Sequence, residues 1–266
     1  VKLIKNTAST LRLFLVCTLL ICSGSLILKP PSALGATAEQ QTEAALMPFL
    51  DVLSTQPAGT ARAFRLQGRV ESVGKKQFPA DQMPAFDFAV QPPLRMRLSF
   101  PVGETQIIAC RNAQHAWAAP ESALRPLLEG LPSGGPRKVF QPIALPFTGK
   151  QLALLPVLLE VQDKGSSPLE GTPCRVMDVR MQPALDRLLP LDAQNWALRL
   201  WLSLTGTPVR AGMSTPMGSA VVRVDQVEFS AELPSSTWNT TEDAKILTPN
   251  DFEQIAGRIF KSVPQR

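Results

Sequence analysis

The chain of 266 residues has no tyrosine and one histidine, His115. A single imidazole excludes every site that draws two from one chain. Cysteine is equally sparse. Of four, Cys17 and Cys22 lie in an apolar N-terminal run, which leaves Cys110 and Cys174 for the body. Two thiols and one imidazole cannot close a tetrahedral N/S zinc site. Positive charge is in short supply once the N-terminus is set aside. Lys2, Lys5, Arg12 and Lys29 fall in the first 38 residues with no acid, so the rest carries 23 basic against 22 acidic side chains. That near-neutral body lacks the cationic excess on which nucleic-acid binding depends. Also missing are a Gly-x-Ser-x-Gly elbow and the glycine patterns of phosphate or dinucleotide loops. Proline, by contrast, is abundant at 25 residues and argues against a helical bundle, because it breaks helix interiors.

The N-terminus has the order of a secretory signal. Lys2, Lys5 and Arg12 precede an uncharged stretch over 13–28, and Ser32-Ala33-Leu34-Gly35-Ala36-Thr37-Ala38 supplies small residues. Ala36-Thr37-Ala38 fits an A-x-A rule, so residues 1–38 are expected to be removed before Glu39, with cuts after Gly35 or Ala36 as close alternatives. The alternative is an uncleaved membrane anchor over 11–28. Leu20-Ile21 and Leu15-Val16 stand before Cys22 and Cys17, where a lipoprotein site wants small residues.

The body, 39–266, reads as one domain. A helix is expected over 39–54, with Ala44, Leu46, Met47, Leu50 and Leu53 at helical spacing. The period then changes to two. Phe64, Leu66, Gly68 and Val70 alternate with polar residues, as do Leu94, Met96, Leu98 and Phe100, and Phe86, Phe88 and Val90 alternate with Ala85, Asp87 and Ala89. Such alternation predicts strands with one apolar face. Further strands are expected over 105–111, 114–117, 172–181, 195–205, 209–213 and 219–233. In 195–205 the apolar side carries Trp196, Leu198, Leu200, Leu202 and Leu204. In the last strand Val222 and Val224 share a face with Val227, Phe229, Ala231 and Leu233 only if one residue is inserted near Asp225-Gln226, which predicts a bulge. Short helices are expected over 121–129 and 248–263, an irregular loop over 131–149, and an apolar helix or strand over 151–162. The expected class is mainly β with flanking helices: a single curled antiparallel sheet forming an open half-barrel closed by short helices.

Three stretches carry a resemblance. They are Pro93-Leu94-Arg95-Met96-Arg97-Leu98-Ser99-Phe100, then Thr105-Gln106-Ile107-Ile108-Ala109-Cys110 with Gln114-His115-Ala116-Trp117, and then Trp201-Leu202-Ser203-Leu204-Thr205-Gly206-Thr207-Pro208-Val209-Arg210 leading into 221–229. Their order resembles the superfamily of the periplasmic lipoprotein carrier LolA, which includes the acceptor LolB and the N-terminal domain of the regulator RseB. This sequence departs from the pattern at Asn112-Ala113, where a glycine is usual, and at Ala118, where an aromatic is usual. The resemblance implies an exported, cofactor-free half-barrel that holds acyl chains.

Leu94, Met96, Leu98, Phe100, Trp196, Leu198, Leu200, Val227 and Phe229 are therefore the candidate lining residues. Alternation alone fits a solid core as well as a cavity, and the resemblance points to the cavity. The expected function is a non-enzymatic lipid- or lipoprotein-binding carrier of the bacterial envelope, periplasmic after signal removal. Its partners would be acyl chains, a lipidated protein or an envelope protein. An envelope sensor with a filled core is the alternative, and a hydrolase with an unrecognised site, built on His115 or on a carboxylate pair, a third. Arg95 and Arg97 share a strand face that would meet either solvent or an acidic group. Cys110 and Cys174 are a disulfide candidate if their strands meet, and two buried thiols if they do not.

Overall fold

The two-residue alternation of the sequence becomes one sheet. A computed structural model describes residues 36–251, apart from 56, 58, 103–104, 113, 129–141, 145–147, 149–150, 184–194, 216–217 and 250. The strands are β1 (Ala63–Val73), β2 (Lys76–Gln77), β3 (Ala85–Gln91), β4 (Arg95–Val102), β5 (Thr105–Arg111), β6 (Ala116–Ala119), β7 (Leu159–Leu169), β8 (Thr172–Met181), β9 (Ala197–Ser203), β10 (Pro208–Thr215), β11 (Gly218–Ser230) and β12 (Lys245–Leu247). They lie in the order β12-β6-β5-β4-β3-β1-β11-β10-β9-β8-β7, with β2 paired to β1. Neighbours are antiparallel, as short connections require. Among the described residues β12 and β7 are unjoined edges, so the sheet is a half-barrel and not a closed one. Among the same residues no helix is long and apolar enough to cross a membrane.

The helices flank this sheet: α1 (Ala38–Leu53), α2 (Glu121–Leu128) and α3 (Leu155–Leu158). The stripe that α1 buries runs through Thr42, Ala45, Leu46, Phe49, Leu50 and Leu53. Ala44 faces solvent instead, so the helix is rotated slightly from its expected setting to aim Phe49 at the sheet. The 151–162 segment divides into a 3-10 turn (Gln151–Leu154), α3 and the start of β7. The expected C-terminal helix over 248–263 lies, after residue 251, outside the described residues.

The inserted residue of β11 is Asp225. The partners of β1 step from Gln226, opposite Gln67, to Val224, opposite Gly68. Val222, Val224, Val227 and Phe229 thereby stay on one face, as the broken alternation requires. The strand ends at Ser230, however, and Leu233 turns to the opposite face. Leu204 also leaves the apolar side. It sits in the turn after β9, 68 % exposed.

After β11 the chain crosses the outer face of β1, β3, β4, β5 and β6 to reach the far edge as β12. Leu233 and Trp238 of this strap pack on Ala63, Ala89, Cys110, Trp117 and Ala119. The small side chains of Ala63, Ala89, Cys110 and Ala119 leave depth for the strap. Polar ties hold it along its course: Leu233 N–H donates to Gln91 Oε1 (3.4 Å), and Glu121 N–H to the Asp243 carbonyl (2.9 Å). His115 Nε2 lies 3.1 Å from Thr240 Oγ1. That contact belongs to the strap, and it gives the only histidine a structural task.

The disulfide candidate is corrected by the strand order. Cys110 on β5 and Cys174 on β8 are buried free thiols seven strand positions apart. At about 4.8 Å per strand that is roughly 30 Å of sheet, far beyond the roughly 7 Å a bridge tolerates. Burial pushes the Cys110 thiol up to about 12, against the opposing pull of Arg97, and the side chain packs in the apolar cluster under the strap.

Candidate functional site

Two faces of very different chemistry follow from the strand alternation. The inner one gathers Phe64, Leu66 and Val70 of β1, Phe86, Phe88 and Val90 of β3, and Leu198, Leu200 and Leu202 of β9 with the buried stripe of α1. Met177 and Val179 of β8 and Ile107 of β5 extend it toward both edges.

Eight of the nine candidate lining residues meet on this face. Met96, Trp196, Leu198 and Leu200 are buried within it, while Leu98, Phe100, Val227 and Phe229 pack against it and stay partly exposed. Leu94 stands in the turn before β4 and does not join them. The half-exposed members come from β4 and β11, on either side of β1 and β3. Helix α1 fills the middle. The Phe49 ring meets those of Phe64 and Phe229 edge-on, with centroids 5.0 and 4.6 Å apart. Edge-to-face pairs of this kind add to the value of the buried area. Phe49 and the β1 and β3 aromatics were missing from the candidate set, although β1 and β3 showed the same alternation as the strands that supplied it. Arg111 was missing too. Its β5 position, opposite Met96 and Ala116, puts it on the inner face at 5 % exposure. Nothing in the sequence sets this arginine apart from the others.

The outer face neutralises itself. Asp87 accepts from Arg65 Nε (2.9 Å) and Nη2 (2.7 Å) and from Arg97 Nη1 (2.5 Å). Arg95 pairs with Glu232 of the strap at 3.4 Å. Arg95 and Arg97 thus meet acids of their own chain. Arg210 pairs with Glu71 at 2.5 Å and lies over the Trp201 ring. Across β8 and β9, Asp178 accepts from Arg199 Nε (2.6 Å) and Nη2 (2.9 Å). This bidentate bond is the first cause holding the Asp178 carboxyl below its ordinary value, and burial opposes it.

A pH dependence follows. The folded Asp178 titrates below its unfolded value of about 3.9, so its stabilisation is complete above that pH and fades as pH falls through the folded value. Asp178→Asn is expected to lower Tm at neutral pH, with the difference from wild type shrinking below about pH 4. Thermal melts from pH 7 to 2 check this. A difference that stays constant into acid would contradict it.

Among the described residues no group of three His, Cys, Asp or Glu is placed to hold a metal ion. No protein-family model matches the chain, and no curated protein matches it. Solved structures do. The chain is similar to the Mycobacterium tuberculosis lipoprotein LppX, at 11% identity over 62% of this chain and 85% of that one, with a TM-score of 0.32. A LolA superfamily protein from Nitrosomonas europaea is similar at 10% identity over 77% of this chain and 99% of its own, with a TM-score of 0.29. A chain of the Pseudomonas aeruginosa MucA/MucB complex is similar at 15% identity and a TM-score of 0.38, over 80% of this chain and 64% of that one.

Proposed function

We propose that this is an exported, non-enzymatic protein of the bacterial envelope that holds acyl chains, free or on a lipidated protein, against the inner face of its half-barrel. The observation that carries the reading is the partial exposure of Leu98, Phe100, Val227 and Phe229 on an otherwise buried apolar face. Apolar side chains left accessible in a concavity are what an acyl chain requires, since its burial is driven by area and needs few polar contacts. The sequence resemblance to the LolA superfamily supports the same reading. The outer face offers little to an anionic partner, because Arg65, Arg97, Arg199 and Arg210 are already paired there. Export, and a periplasmic location, rest on the order of the N-terminal segment.

A second reading has its own observation. Met96, Trp196, Leu198 and Leu200 are buried, and Phe49 occupies the centre of the face. That filling favours an envelope sensor or protein-interaction domain on the same scaffold.

Titration with a fluorescent fatty acid separates the two. Saturable binding is expected, and Leu98→Arg should weaken it by about tenfold or more, because an unpaired charge on an apolar lining costs upward of about 1.4 kcal/mol. Leu204→Arg, in an exposed turn, should leave binding unchanged. Leu200 is fully buried, so its replacement by arginine would test folding and not binding. Absence of binding by a folded wild-type protein would favour the sensor.

A further inference from the structure

Two pairs of small residues in the leader fit the spacing that signal peptidases read: Ala33 with Gly35, and Ala36 with Ala38. Use of the first leaves a chain beginning at Ala36, and use of the second a chain beginning at Glu39. The residues between the two cuts are structural. Thr37 is the N-cap of α1, and its Oγ1 accepts from the Gln40 N–H at 3.3 Å while Gln40 Oε1 accepts from the Thr37 N–H at 3.0 Å. This reciprocal box satisfies two of the amide donors that a helix N-terminus otherwise leaves free. The Ala36 carbonyl accepts from Arg175 Nη1 at 3.2 Å. The same guanidinium is held by Asp163, through Nε at 3.0 Å and Nη2 at 2.7 Å, so the first residues of the helix are tied to the β7–β8 hairpin. Ala38 is 8 % exposed and belongs to the inner-face core, whereas Glu39 and Gln40 face solvent.

A chain cut before Glu39 would lose the cap, the tie to Arg175 and one core residue together. It would also set a charged amine directly on the first turn of α1, where the helix dipole disfavours positive charge. We infer that the leader is removed between Gly35 and Ala36, so that the mature protein begins at Ala36 and carries its own helix cap. The inference rests on the export reading. The reaction is hydrolysis by a signal peptidase of the exporting cell: water adds across the Gly35–Ala36 peptide bond, leaving a carboxylate on Gly35 and an amine on Ala36.

Intact mass and N-terminal sequencing of the full chain, produced in an exporting bacterial host, test it. A terminus at Ala36 is expected. A terminus at Thr37 or Glu39 would overturn the inference and leave export standing, while an uncleaved leader would overturn both. A second measurement tests the physical reason. Chains made to begin at Ala36 and at Glu39 should differ in Tm by at least ~2–4 °C, the shift expected for one lost cap in a domain of this size. Thr37→Ala in the longer chain should recover much of that difference as a loss. Equal melting temperatures for the two chains would overturn the inference.

Discussion

Gly68→Ala is expected to cost more than about 3 kcal/mol and to leave little folded protein, because the added methyl has no room. Gly68 pairs with Phe86 of β3 on one side and Val224 of β11 on the other, immediately beside the Asp225 bulge. A Cβ at this position would stand 2.0 Å from the Arg223 carbonyl oxygen and 2.8 Å from Phe86 Cε1. A side chain can swing away from such a clash. The Arg223 carbonyl cannot, since it belongs to the strand that carries the bulge. The constraint is space and not backbone angle, as Gly68 is absent from the positive-φ positions. Gly212 on β10 supplies the control. There a Cβ would meet Trp201 and Val221 at 3.5 Å, an ordinary contact, so Gly212→Ala should be neutral or stabilise by up to about 1 kcal/mol. Urea unfolding of the two variants measures both. Similar midpoints for the pair would show that the bulge tolerates a side chain.

Phe49→Ala should cost about 3–5 kcal/mol, the range for removing a buried aromatic ring. Phe49 is 1 % exposed and is the one α1 ring that meets both Phe64 and Phe229. Its loss takes away the wedge that fixes α1 over the junction of β1 and β11 and opens a cavity there. Leu154→Ala, at 56 % exposure, should change stability by no more than about 0.5 kcal/mol. Unfolding midpoints again decide. A cost below about 1 kcal/mol for Phe49→Ala would mean that α1 is only loosely seated on the sheet. The same variant bears on function, because Phe49 packs directly on Phe229, one of the half-exposed residues of β11. Widening the space there should raise fatty-acid capacity if the inner face is the binding surface.

The parts of the fold that were legible in the sequence are those where burial leaves a periodic trace. β5 and β8 fall on the spans 105–111 and 172–181 that alternation marks out. The Asp225 bulge was legible because the alternation of β11 skips one step there. β7 was not recognised past residue 162, and its burial explains why. Most of its residues from Glu160 to Pro168 are exposed on both faces, so no alternation is imposed on them. β2 and β12 are too short, at 2 and 3 residues, to show a period. The strap escaped notice because Leu233 and Trp238 are single anchors, the first on irregular backbone and the second on a four-residue 3-10 turn too short to show a period.

Strand order is a further kind of information. Alternation tells which face a residue takes and nothing about which strand lies beside it. That is how Cys110 and Cys174 became a disulfide candidate while standing seven positions apart. Most of the candidate lining residues share one face for the opposite reason. Every residue on one side of a curled sheet faces the same interior, so Leu98 and Phe229 come to one surface although three strand positions separate β4 from β11.

The most direct measurement is native mass spectrometry of protein purified gently from an exporting host without detergent. Occupancy of the inner face by acyl chains predicts an added mass that organic extraction removes and identifies as lipid, and that Leu98→Arg lowers in a protein still folded by circular dichroism. A folded wild-type chain that carries no lipid, and gains none when offered phospholipid or fatty acid, would contradict it.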